Sequence, residues 1–479
     1  MAKESLIGRE REIRRLDRVK DETEAQIVIV YGRRSVGKTF LINEYFDYDF
    51  DFKFTGSYNQ SKQTQLRNFQ SEMNRYSNKE HSVPKDWTEA FFMLRDHLET
   101  KDASQKQVVF FDEMPWMDNQ KSGFLPAFEW FWNAWAGARK NLIFVVCGSA
   151  ASWLTDKIEK NKGGLYNRAA CKLHLQPLDL HDVEKFLKSR NIEWSRYDIT
   201  QCYMIMGGIP YYLRLLDKEL TLNENIDELF FRKGAELCDE FDQLYRTLFK
   251  PGDRYIKIVE VLSKKRKGLT RSEIACNTKL PENGVLTKKL NDLVNSGFVR
   301  SSPAYKHQSR DMHYQLSDYY TKFFLSFVKD NAGKNPHMWS ITNDDRQRTA
   351  WQGFTFEQVC KDHMEQIKKG LGISAVRSEV WSWEKKGDDA KKGAQIDIVI
   401  DRNDRVISLC EAKFYSHEYE LKKSDDEDLK TKVSVFREET KTNKTIQVVL
   451  ITTYGVKKNK YSNYIGRVID MDKLFEKAE

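Results

Sequence analysis

Two sets of residues in this chain carry side chains and spacings suited to chemistry. The first begins in residues 26–39, QIVIVYGRRSVGKT. Gly32 and Gly37 bracket Arg33, Arg34, Ser35 and Val36, and Lys38, Thr39 and Phe40 follow at once. Glycines so placed let backbone N–H groups close around phosphate oxygens at the positive end of a helix. Lys38 would reach the β- and γ-phosphates of ATP, and the Thr39 hydroxyl would hold Mg²⁺. Asp112 and Glu113 end a second apolar run, VVFF. Asp112 would hold the Mg²⁺ through water, and Glu113 would orient and activate the attacking water. Phosphoryl transfer needs this pairing of metal-bound charge and a positioned nucleophile.

The second set is Asp397, Glu411 and Lys413, with Glu357 upstream. Asp397 and Glu411 are carboxylates able to bind Mg²⁺ together. Lys413 would position water and stabilise charge on a phosphate. That is the equipment for metal-dependent hydrolysis of a phosphodiester.

Elements must place these groups. Residues 26–31 read as a buried strand and FLINEYF as a helix, so the glycine loop sits between strand and helix, as a P-loop requires. Residues 108–111 and 141–150 read as further buried strands. Ser149 ends the latter, where a polar group can sense a γ-phosphate or simply close a Gly-Ser turn. Residues 124–136, FLPAFEWFWNAWA, read as a helix packed on the sheet, with a base-stacking surface as the alternative. GGLYNR at 163–168 presents Arg168, either an arginine finger or nucleotide sensor or a plain surface arginine.

Residues 176–216 change character. A helix with a capping Asp precedes GGIP at 207–210. Residues 254–316 read as three helices and two strands joined by a basic loop, a winged helix. Lys288 and Lys289 on its third helix could enter a DNA groove, or the unit could pack on the ATPase core. Residues 330–350 are polar and read as a linker. In residues 393–415 Ile396, Ile398 and Ile400 alternate with Asp397 and Val399, and a turn leads to Glu411-Ala-Lys413 on the next strand. This is a hairpin that brings both carboxylates to one face. The Lys-rich stretch 421–444 reads as a solvated face.

Bulk properties bound the answer. A chain of 479 residues should hold about three domains. Hydrophobic residues at 40% exclude a disordered chain, and no run approaches the roughly 18 apolar residues of a membrane span. The charged N-terminus lacks a signal-peptide core. Seven cysteines without a C-x-x-C pair point to reduced thiols in a cytoplasmic protein. A net charge of +8 permits nucleic-acid binding without demanding it.

Together IGRERE (7–12), GRRSVGKT (32–39), FFDEMPW (110–116), GSA (148–150), GGLYNR (163–168), GGIP (207–210), QID (395–397) and EAK (411–413) resemble archaeal-type P-loop ATPases of the STAND and AAA-like group. Such proteins carry a C-terminal domain of the PD-(D/E)xK nuclease superfamily. The resemblance implies an α/β fold. It would comprise a P-loop core (1–175), a helical lid (176–252), a winged helix (253–330), a linker (331–350) and a nuclease-like domain (351–479). It implies nucleotide and Mg²⁺ at Lys38, Thr39, Asp112 and Glu113. It implies Arg168 as sensor or finger, Pro210 and the GRE segment near adenine, and Asp397, Glu411 and Lys413 as a nuclease core with Glu357 as its helical acid. Ile396 stands where that superfamily's proline would be. The expected protein is a nucleotide-switched ATPase controlling a nuclease-like domain that acts on nucleic acid, with homo-oligomerisation if Arg168 acts in trans. The alternative is a signalling or DNA-binding scaffold.

Overall fold

In a computed structural model the protein is described over residues 6–478, except 120, 150–152, 154–168, 304–311, 343–344, 386 and 388–392. Arg168 and the basic loop 304–310 therefore lie outside the described residues.

The first sheet contains β1 (Gln26–Gly32), β2 (Phe52–Thr55), β3 (Gln107–Asp112), β4 (Leu142–Gly148) and β5 (Ala169–Leu175), in the order β2-β3-β4-β1-β5. All pairings are parallel. Every residue of β3 and β4 is buried, as near-continuous apolar runs require when helices cover both faces. Helices Lys62–Ser77, Trp87–Glu99 and Phe124–Ala134 cover one face, and Glu10–Asp21 and Lys38–Tyr45 the other. Phe124, Phe128 and Phe131 face the sheet, so the aromatic helix is core rather than a stacking surface. Because β4 lies between β1 and β3, the end of β4 sits between the glycine loop and the Asp112-Glu113 pair.

A helical segment follows, opened by helix Leu180–Ser189 with Asp179 as its cap. Helices Gly252–Ser263, Arg271–Thr278 and Gly284–Asn295 then surround a small antiparallel sheet. Its strands are β6 (Leu269–Thr270), β7 (Val299–Pro303) and β8 (Met312–Leu316). Lys289 is buried with its ammonium over the Tyr255 ring, so only Lys288 of the expected pair projects outward.

The C-terminal sheet has the order β13-β12-β11-β10-β9. Its strands are β9 (Ser378–Lys385), β10 (Ala394–Arg402), β11 (Val406–Lys413), β12 (Thr445–Thr452) and β13 (Arg467–Asp470). The meander β9–β10–β11 is antiparallel, and helix Lys423–Thr440 carries the chain across to β12, parallel to β11. Helix Arg346–Asp362 packs on β11.

Two expectations fail here. Residues 331–350 are no free linker. Trp339 is buried among Phe323, Phe327 and Trp351, and Asp227 caps the helix Met338–Ile341 through the Trp339 and Ser340 amides. The buried Arg348 guanidinium donates to the Trp339 carbonyl and to Asn223. Polar composition concealed this because the polar groups serve as caps. Nor does β10 alternate simply. Its register shifts between Ile396 and Val399, and these two share one face while Ile398 and Ile400 share the other. An extra residue in a strand re-aims its side chains, and here the irregularity falls on Asp397.

One apolar core runs from Leu178 through the three-helix unit to Phe475. Among the described residues no helix is long and apolar enough to cross a membrane.

Candidate functional site

The glycine loop is shaped by backbone conformations that few residues adopt. Gly32 has φ +148°, and a Cβ there would lie 2.3 Å from the Leu175 carbonyl oxygen. Gly37 has φ +96° at the start of helix Lys38–Tyr45, and Ser35 accepts φ +68°. The buried Lys38 ammonium donates to the carbonyls of Gly32 and Arg33, each at 3.0 Å. Thr39 Oγ1 donates to Asp112 Oδ2 at 2.9 Å, and Asp112 Oδ1 accepts from the Glu113 amide. The residues assigned to Mg²⁺ thus meet across β1 and β3 although 73 positions apart. Glu113 adopts φ +46°, and its carboxylate accepts from Ser149 Oγ at 2.6 Å and from the Ser149 amide at 3.1 Å. Ser149 therefore holds the acid expected to activate water. Val36 is buried, whereas the Phe40 side chain is exposed.

The Arg33 side chain serves a partner outside the loop. It turns away from the loop and donates Nε to Asp318 Oδ2 at 2.7 Å, with Nη2 3.3 Å from the Tyr212 hydroxyl. Burial lowers its pKa, but Asp318 and Tyr212 outweigh burial and the net shift is upward. Arg33 can contribute backbone to a phosphate while its charge is committed elsewhere. Arg9, of the GRE segment, donates to the Val36 and Gln176 carbonyls and pins the loop to the start of the helical segment. Pro210 opens the helix Pro210–Leu213, which delivers Tyr212 to Arg33.

In the C-terminal sheet Asp397 and Glu411 are both buried. Asp397 Oδ2 accepts from the Ala412 amide at 3.1 Å. Lys432, not Lys413, pairs with Glu411, its Nζ 2.7 Å from Oε2. Glu411 Oε1 is buried without a hydrogen-bond partner. Burial, then the Asp397 charge, push Glu411 up to about 7, against the pull of Lys432. Burial and Asp397 likewise push Glu357 up to about 7, with Lys361 and Lys413 opposing. These influences place Glu357 and Lys413 in the same electrostatic neighbourhood as the carboxylate pair. Glu411 and Lys413 also line one small pocket with Tyr419, Asp425 and Asp428. An uncompensated buried carboxylate oxygen is a fit for a hard cation. Among the described residues no three His, Cys, Asp or Glu side chains gather as a ready-made metal cage. A cation held by two carboxylates and waters is the usual Mg²⁺ arrangement.

Sequence reasoning missed Tyr212, Asp318, Lys322 and Lys432. Lys432 had a signal: Leu429, Val433 and Phe436 mark the inward face of its helix, and position 432 lies on it. Asp318 had none, being 285 positions from Arg33.

A strand–glycine loop–helix at one end of a five-stranded parallel sheet, with paired acids two strands away, defines a P-loop ATPase core. Residues 6–216 match the family model of an ATPase domain predominantly from Archaea. This part of the chain is similar to the ATPase domain of that family. An uncharacterized protein of Methanocaldococcus jannaschii is 22% identical over 413 residues, 85% of this chain and 87% of its own length. The Walker-type ATPase of Pyrococcus abyssi is 16% identical, with 67% of this chain and 96% of that chain covered and a TM-score of 0.47. The ORC2 protein of Aeropyrum pernix in its ADPNP–ADP complexes is 13% identical, with 68% and 93% covered and a TM-score of 0.43.

Proposed function

We propose that this protein binds and hydrolyses ATP and uses its nucleotide state to control a metal-dependent, nuclease-like C-terminal domain acting on nucleic acid. The observation that carries the reading is the buried Asp397–Glu411 pair with its unpartnered oxygen, in the same chain as a complete glycine loop and acid pair. At the first site Lys38 would leave the Gly32 and Arg33 carbonyls for phosphate oxygens. Glu113 would leave Ser149 to hold the attacking water. Thr39 and Asp112 would hold Mg²⁺. At the second site Asp397 and Glu411 would hold a divalent cation, which neutralises phosphate charge when bound. Lys413 would stabilise the developing charge and Glu357 would hold water or a proton. Arg168 is assigned as sensor or finger, which in trans would require subunits to meet at the nucleotide.

The helix, antiparallel meander and crossover helix support a PD-(D/E)xK reading of residues 351–479, and the unit at 253–330 fits a winged helix. The test is cleavage of plasmid, linear duplex, single-stranded DNA and RNA with Mg²⁺ or Mn²⁺, under ATP, ADP and no nucleotide. Cleavage that depends on ATP and vanishes in Asp397→Ala is expected. Intact ATP turnover without any cleavage would overturn the nuclease half.

One observation favours a second reading, a nucleotide-binding scaffold that grips nucleic acid without cutting. Lys432 already neutralises Glu411 in the manner of a cation. DNA binding that weakens with salt and ignores Asp397→Ala would establish it.

A further inference from the structure

Six residues after the small sheet, 317–322, touch both candidate sites. At one end Asp318 Oδ2 takes the Arg33 guanidinium, which lies between the Tyr212 and Phe298 rings, 5.4 and 5.2 Å from their centres. Both partners are almost fully buried, at 4% and 6% side-chain exposure. Asp318 Oδ1 meanwhile caps the helix Tyr319–Phe323 through the Thr321 amide at 2.8 Å. One turn on, Lys322 bonds the side-chain oxygen of Gln358, and the Gln358 amide donates back to the Ser317 carbonyl. Tyr319 OH donates to Asp362 Oδ2 at 2.6 Å, and Arg300 of β7 pairs with the same carboxylate. Gln358 directly follows Glu357 in helix Arg346–Asp362, and Asp362 closes that helix about one turn further on.

We propose that segment 317–322 is the mechanical link that carries the state of the phosphate-binding loop to the helix bearing Glu357. The inference rests on the proposed reading of the two sites and names its regulation. Arg33 is the first residue inside the glycine loop, and its own carbonyl accepts from Lys38. When Lys38 exchanges that carbonyl for a phosphate, the backbone carrying Arg33 is freed to shift. The guanidinium cannot stay behind, and it cannot part from Asp318 cheaply. A buried ion pair has no water to replace either partner, and breaking one leaves an uncompensated charge. The pair therefore moves as a unit. Asp318 is the cap of a helix one turn long, so the displacement reaches Lys322 and Tyr319 without slack. Packed interfaces of this kind switch between discrete arrangements rather than deform continuously. The structure thus offers a route from nucleotide to Glu357 that does not need the three-helix unit to detach.

The test is hydrogen–deuterium exchange of the full chain with no nucleotide, with ADP and with a non-hydrolysable ATP analogue. Peptides covering 313–328 and 346–362 are read. The wild-type protein should show a nucleotide-dependent exchange change of at least about fivefold in both, the lower end of ordinary coupling energies. Asp318→Asn keeps a capping side chain but loses the charge. It should still bind the analogue and lose the response in 346–362. If Asp318→Asn fails to fold, Lys322→Met cuts only the far end and should keep the response in 313–328 while losing it in 346–362. Nucleotide binding without any response in 346–362, or a response that survives both substitutions, overturns the link. Absence of nucleotide binding in the wild type overturns the ATPase reading instead, and the two failures are distinguishable.

Discussion

Glu113 is held by two hydrogen bonds from Ser149 in a left-handed backbone conformation. A carboxylate fixed this way serves hydrolysis only after release. Glu113→Gln should therefore bind ATP normally but turn it over at least about 10²-fold more slowly, the usual effect of losing a general base. Single-turnover hydrolysis beside an equilibrium binding titration checks this. Lys38→Ala should abolish both binding and turnover; unchanged turnover would end the ATPase assignment. At the second site the sign of the pH dependence follows from two carboxylates raised from 4.5 to about 7. The folded state holds protons there that the unfolded chain has already released. Stability therefore falls as pH rises from about 4.5 to about 7 and levels off above it. Removing the shared neighbour in Asp397→Asn should flatten that fall. Mg²⁺ should raise the melting temperature more at pH 8 than at pH 5.5. Melting curves across this range, with and without Mg²⁺, decide both points.

At the scale of elements, one close backbone joint sets how the helical segment meets the ATPase core. The Gly208 carbonyl accepts from the Leu178 amide at 2.7 Å, and a Cβ on Gly208 would lie 1.7 Å from the Leu178 carbonyl oxygen. This contact seats the helical segment where Tyr212 can meet Arg33. Gly208→Ala should cost about 3 kcal/mol or more, at the upper end for single substitutions, and should loosen nucleotide binding as well. Denaturant unfolding and a nucleotide titration on the same variant test the two effects together. Helix Lys423–Thr440 shows the reverse case, in which a charged sequence hides an inward stripe. Its Lys432 is 16% exposed and bound to Glu411, while its neighbours Lys423 and Lys430 form pairs on the exposed side.

At the scale of the molecule, a shared core from Leu178 to Phe475 makes the helical segment, the three-helix unit and the C-terminal sheet one packed body. Trp339 and Arg348 close the stretch that polar composition marks as a linker. Limited trypsin digestion should therefore spare Arg348, and residues 351–479 expressed alone should aggregate or remain unfolded. Sharp release of a folded C-terminal fragment would contradict the shared core.

The reading of residues 26–39 and 107–113 needed no tertiary information. Strand, glycine loop and helix are specified within twenty neighbouring residues, 26–45, by backbone freedom and apolar pattern, and the acids close their own strand. The C-terminal hairpin was legible for the same reason, since strand period and turn chemistry are local. The bulge at Asp397 was not, because it appears only as register against β9. Nor could composition show that the Arg33 side chain pairs with Asp318, that Lys432 pairs with Glu411, or that Trp339 and Arg348 are buried. These are pairings between distant positions, chosen by which surfaces meet when the apolar faces are buried. Local sequence determines which chemistry each segment can carry; the packing of segments decided which charges are committed and which are left for a ligand.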